Sequence, residues 1–102
     1  MEAVLAGIKV IVSDDGYLTD LSQWNKEIGL EIAKNEGIVM TDRHWDVITW
    51  IQEQVKAGKP LSVRGVKKSG VVDIKEFYAL FPKGPLKIST KIAGVPKPKS
   101  CI

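Results

Sequence analysis

Cysteine is almost absent from this chain: among 102 residues, Cys101 carries the only thiol. A single cysteine excludes an internal disulfide framework. With one histidine, His44, beside it, the ligand set of a structural zinc site is missing too, and no metal is expected. Long hydrophobic runs are also lacking. No stretch reaches the roughly 20 apolar residues of a membrane span, and the first residues lack the basic-then-apolar pattern of a secretory signal. A cytoplasmic protein with no membrane partner is the expectation. Neither a glycine-rich phosphate loop nor a nucleophile elbow is present, and no bound cofactor is expected.

Acid is scarce in the second half. Residues 1–55 hold ten of the twelve acids and four Lys or Arg, whereas residues 56–102 hold eleven Lys or Arg and only Asp73 and Glu76 as acids. From Lys83 onward there are five lysines and no acid. The overall charge of +3 therefore conceals a strongly basic half. Such a half either faces an anionic partner, an acidic protein surface or nucleic acid, or is plain solvated surface.

What is present is enough for one domain with a modest core: 44% of residues are hydrophobic and 26% charged. Ile8 to Val12, followed by Asp14-Asp15-Gly16 and Tyr17-Leu18, predicts a hairpin around the Asp-Gly turn. Asp20 or Ser22 caps a helix running to about Asn35, with Trp24, Ile28 and Ile32 on its buried stripe and Gly37 after its end. Thr41 caps a second helix, whose Trp45, Ile48, Ile51 and Val55 share one face before Gly58 and Pro60. Shorter helices are expected from Leu61 to Ser69, from Asp73 to Pro82 and over residues 85–93. The predicted fold is mainly α: a small helical bundle with an N-terminal β-hairpin over residues 1–93, and a flexible C-terminal arm over 94–102.

Few of the polar constellations look chemical. His44 opens a helix with no acid placed to orient its ring, which favours a structural role. Asp14/Asp15 sit in a turn and Asp42/Asp46 on a helix face, neither an acid–base dyad. Residues 61–80 resemble a helix-turn-helix, with Arg64, Lys67 and Lys68 available for phosphates, so a DNA-binding regulator is one reading. The arm carries the other. Pro96 and Pro98 stiffen an extended approach to Cys101. The result is either a tolerated surface cysteine or a thiol able to enter another protein's active site. Lys97 and Lys99 favour its ionised form, and a terminal carboxylate opposes it.

The matching features run along most of the chain. They are Asp15-Gly16-Tyr17-Leu18, Trp24, Ala33 with Asn35-Glu36-Gly37-Ile38, His44-Trp45, Arg64, Tyr78 with Leu80-Phe81-Pro82-Lys83-Gly84-Pro85, and Lys91-Ile92-Ala93-Gly94-Val95-Pro96-Lys97-Pro98 leading to Cys101. In these the chain resembles the DsrC/TusE family of sulfur-trafficking proteins. The resemblance implies a helical bundle with a C-terminal arm, and sulfur carried as a persulfide on Cys101. DsrC proteins proper have a second cysteine at the position of Thr90, so an internal disulfide or trisulfide is not open to this chain. The residues flanking Cys101, Lys99-Ser100 and Ile102, look more like the TusE branch. The stretch between Gln54 and Phe77 is shorter than usual, which counts against a helix-turn-helix function.

By this resemblance the function is that of a sulfurtransferase-type sulfur carrier. Cys101 would accept sulfane sulfur from a TusBCD-like persulfide donor and pass it to an acceptor, a tRNA 2-thiouridylase modifying the wobble uridine, with tRNA as an indirect partner. The alternative within the family is a gamma-subunit partner of dissimilatory sulfite reductase, or a carrier in sulfur oxidation. Arg64, Lys83, Lys91, Lys97 and Lys99 are the candidate partner-binding residues.

Overall fold

The computed structural model describes residues 1–96, so Lys97, Lys99 and Cys101 lie outside the described residues. Two strands, β1 (Glu2–Leu5) and β2 (Ile8–Ile11), precede a series of helices: α1 (Lys26–Asn35), α2 (Asp42–Lys56), α3 (Val63–Ser69), α4 (Ile74–Leu80) and α5 (Pro85–Ile92). The mainly helical architecture with an N-terminal hairpin is the one the sequence predicts.

The hairpin is built differently from the expectation. β2 pairs antiparallel with β1, in the register Glu2↔Ile11 to Leu5↔Ile8, around Ala6-Gly7. Both turn residues have positive φ, 52° and 76°, the conformation of a tight two-residue hairpin turn. The Asp-Gly turn of residues 13–17 retains a single bridge, Val12↔Leu18. Tyr17 and Leu18 form no strand and are buried in the core. Ala3 and Leu5 pack inward with Val10, while Val4 and Ile11 face outward, the alternation of a half-buried ribbon.

A second correction falls at the first helix. Asp20 and Asn25 are successive caps: Asp20 accepts from Ser22 N–H to close one 3-10 turn at Leu21–Gln23, and Asn25 accepts from Ile28 N–H to start α1. Trp24 between them is extended, with φ −82° and ψ 144°, and this break turns its indole toward the end of α5.

The remaining helices begin and end close to their predicted signals. Thr41 caps α2, Ser62 caps α3, Asp73 caps α4, and Pro85 occupies the first turn of α5. His44 is buried and structural. Its Nδ1 accepts from the Thr41 backbone N–H at 3.1 Å, which places the proton on Nε2, 2.9 Å from Leu80 O. Edge-on against Phe81, the ring ties the start of α2 to the end of α4.

α5 packs against α1, α2 and α4 and is the central helix. Pro85, Leu86, Ile88, Ser89, Thr90 and Ile92 are all buried, and the Ser89 and Thr90 hydroxyls donate back to Leu86 O. Polar side chains are tolerated on a buried helix in this way, because the helix's own carbonyls satisfy them. The packed body reaches Val95, which is fully buried although the sequence assigns it to the arm.

Candidate functional site

With its other faces covered, α5 leaves one stripe open, and lysines fill it. Lys83 precedes the helix, Lys87 follows at i+4 and Lys91 at i+8, so the three stack along one side. They line one cavity of about 340 Å³ together with Asp15, Tyr17 and Glu36. Tyr17, buried to 1% exposure, donates its hydroxyl to Lys87 O at 3.2 Å and pins the 13–17 loop to the helix.

The lysines are not equivalent. Lys91 Nζ lies 3.0 Å from Glu36 Oε1, with both side chains about three-quarters buried at 22% and 25% exposure. Its stem crosses Gly16, where an added Cβ would meet Lys91 Cε at 3.1 Å. Lys83 and Lys87 are exposed and have no acidic partner among the described residues. Lys91 thus supports the site's wall, and Lys83 and Lys87 present charge to whatever approaches it. Of the predicted partner-binding residues, Lys83 and Lys91 therefore come together, and Lys87 joins them. Its signal was in the sequence, as the middle of a four-residue spacing.

Arg64 lies elsewhere, exposed on α3 with Lys67 and Lys68 at i+3 and i+4. None of the three has an acidic partner among the described residues. The following helix, α4, opens with Asp73 as its cap and Glu76 in its first turn. Arg43 grips that Glu76 through two bonds of 2.6 and 3.0 Å. The guanidinium beside it holds the Glu76 carboxyl below the usual carboxylate range, and the pair raises Arg43 in turn. Among the described residues no three His, Cys, Asp or Glu side chains are grouped to hold a metal ion, and no helix is long and apolar enough to cross a membrane.

Where the body ends, the chain is held by Trp24. Its Nε1 donates to Ile92 O at 2.7 Å. The indole fits between two glycines. A Cβ on Gly29 would lie 2.9 Å from Trp24 Cζ2, and one on Gly94 only 2.2 Å from Cδ1. Both glycines are therefore required by the ring, and Gly94 also has φ +72°. Thr90 is buried one turn earlier.

Known proteins resemble this chain over nearly its whole length. A family model described as DsrC like protein matches residues 4–102. Sulfurtransferase TusE of Escherichia coli O6:H1 is 35% identical over 107 residues, covering 97% of this chain and 98% of that protein. A chain of the crystal structure of dissimilatory sulfite reductase I (DsrI) superposes with a TM-score of 0.87 at 35% identity, both chains covered in full. The oxidized gamma-subunit of the dissimilatory sulfite reductase (DsrC) from Archaeoglobus fulgidus superposes at 0.80 and 32% identity, again in full. A match that takes in most of the hairpin, the central α5 and the segment bearing Cys101 makes this chain a member of the DsrC-like family.

Proposed function

We propose that this protein is a sulfur carrier whose cargo is a persulfide on Cys101. The observation that carries the reading is the match to sulfurtransferases over nearly the whole chain, within a family match that extends through the only cysteine. In the loading step the Cys101 thiolate attacks the outer sulfur of a donor persulfide. A new S–S bond forms at Cys101, the donor's S–S bond breaks, and the donor leaves as a thiolate. Delivery repeats the exchange: an acceptor thiolate takes the outer sulfur and Cys101 leaves as thiolate. No oxidant or reductant is consumed in either step. Lys83 and Lys87, with Lys97 and Lys99 of the arm, serve as docking charges for an anionic partner surface.

The specific reading is a cytoplasmic relay from a TusBCD-like donor to a tRNA 2-thiouridylase. Thr90 in place of a second thiol supports it, because sulfur can then leave only by transfer to another molecule. The test is reconstitution with a persulfidated TusBCD complex, a tRNA 2-thiouridylase and tRNA. Appearance of 2-thiouridine dependent on this chain is the expected result, and none above background would contradict it.

A second reading, a partner of a dissimilatory sulfite reductase, is favoured by the structural likeness to chains of that system. Co-purification with such a reductase, and no 2-thiouridine in the reconstitution, would select it. DNA binding through residues 61–80 is the less supported reading, because the likeness over nearly the whole chain is to sulfurtransferases.

A further inference from the structure

The end of α5 is tied down at every carbonyl from residue 89 to residue 93. Backbone donors meet the first three: Ala93 N–H to Ser89 O at 2.9 Å, Val95 N–H to Thr90 O at 3.4 Å and Gly94 N–H to Lys91 O at 3.2 Å. Side chains from two other elements meet the last two. Trp24 Nε1 donates to Ile92 O at 2.7 Å, and Gln52 Nε2 donates to Ala93 O at 2.8 Å. A helix usually leaves its final carbonyls to water or to a local cap. Here the donors stand 68 and 41 residues away, one in the loop before α1 and one in the middle of α2. Beyond them Val95 is fully buried and Pro96 is exposed. The backbone is held until residue 95.

We infer that Trp24 and Gln52 are positioning residues for the Cys101 thiol, fixing the point and direction from which the sulfur-bearing segment leaves the body. This rests on the sulfur-carrier reading. Six residues lead from Val95 to Cys101, an extended span of at most about 22 Å. The thiol therefore works within a sphere of that radius centred on the clamp. A small reagent is indifferent to where this sphere lies. A protein partner is not, because it holds the carrier's body and its own reacting sulfur at a fixed separation, and small misplacements of reacting groups cost large factors in rate. Docking charge on Lys83 and Lys87 governs how often the body is seated, and the clamp governs whether the sulfur then meets its target.

The test uses Gln52→Leu, which keeps the size of the side chain and removes the donor, and Trp24→Phe, which keeps a ring between Gly29 and Gly94 and removes the N–H. Each variant is loaded with inorganic polysulfide and, separately, with a persulfidated TusBCD complex, and persulfide on Cys101 is followed by intact mass. Polysulfide loading should stay within about twofold of wild type, and loading by the protein donor should fall at least about tenfold, chiefly in kcat with little change in KM. Two outcomes would overturn the clamp's role: an unchanged rate with the protein donor, or an equal fall with both donors, which marks plain structural damage. Wild type refusing sulfur from both donors would defeat the carrier reading and the clamp with it, whereas normal wild-type loading with unaffected variants defeats the clamp alone.

Discussion

Gly94 is where one methyl group should do the most damage, and Gly58 supplies the control. Both have φ +72°, a region in which an alanine is strained by about 1–2 kcal/mol. Around Gly58 no atom lies within 4 Å of an added Cβ, so Gly58→Ala should lose that strain energy and nothing more. At Gly94 the new Cβ would stand 2.2, 2.5 and 2.7 Å from Trp24 Cδ1, Cγ and Cβ. Carbon atoms settle at about 3.5–4.0 Å, so the indole has to retreat by about 1 Å or more. Retreat breaks the bond to Ile92 O, worth about 1 kcal/mol, and disturbs the seat against Gly29, an overpacking cost of about 1–3 kcal/mol. Gly94→Ala should therefore be less stable than Gly58→Ala by about 2–4 kcal/mol. Each kcal/mol shifts Tm by about 4–8 °C in a domain of this size, which separates the two variants by at least about 8 °C. Thermal melts followed by far-UV circular dichroism, with urea titrations followed by tryptophan fluorescence, read the difference directly. Equal losses in the two variants would refute the reasoning, because Trp24 would then not be seated against Gly94.

Charge reversal at Lys83 and Lys87 should slow loading by a protein donor about tenfold at low salt, with the defect shrinking as salt rises. Reversal at Arg64, Lys67 and Lys68 should have a smaller effect, and stopped-flow transfer assays over a salt series would show the opposite order if α3 were the docking face. Thr90→Cys should gain an internal disulfide with Cys101 under oxidant, seen as loss of two protons by mass, provided the two Cα atoms come within about 7 Å. Wild type should give only intermolecular disulfides or mixed adducts. The Arg43–Glu76 pair has a definite pH sign: Glu76 is lowered from its ordinary 4.5 on folding, so its contribution is complete above that value and lost as acid carries the pH down through the folded pKa. The urea midpoint gap between wild type and Arg43→Ala should therefore persist at neutral pH and close in acid, and a gap that widened in acid would be the wrong sign.

The helical part of the fold was legible because its boundaries are chemical. Thr41 and Asp73 are residues that start helices for local reasons, and the structure uses both of them so. The hairpin was misassigned because its turn places Ala6 at φ 52°, a conformation that favours glycine or asparagine, while the more conspicuous Asp15-Gly16 turn forms only one bridge. The predicted continuous helix from residue 20 hid two caps in succession, and the extended Trp24 between them is what lets the indole reach Ile92. Of the lysines that line the cavity beside α5, Lys83 and Lys91 were legible from charge, and Lys87 from spacing. Gln52 was not. Its side chain sits on an ordinary amphipathic helix, and its partner is 41 residues away in the chain. Long-range hydrogen bonds of this kind leave no periodicity to read.

Intact-mass spectrometry after exposure to a persulfide donor tests the central claim most directly. Wild type should gain about 32 Da, one sulfur atom, located on Cys101 and removed by a thiol reductant, because the thiolate is the acceptor. Cys101→Ser should gain nothing under the same conditions. A Cys101→Ser protein that still took up sulfur, or a wild type that took up none, would contradict the account.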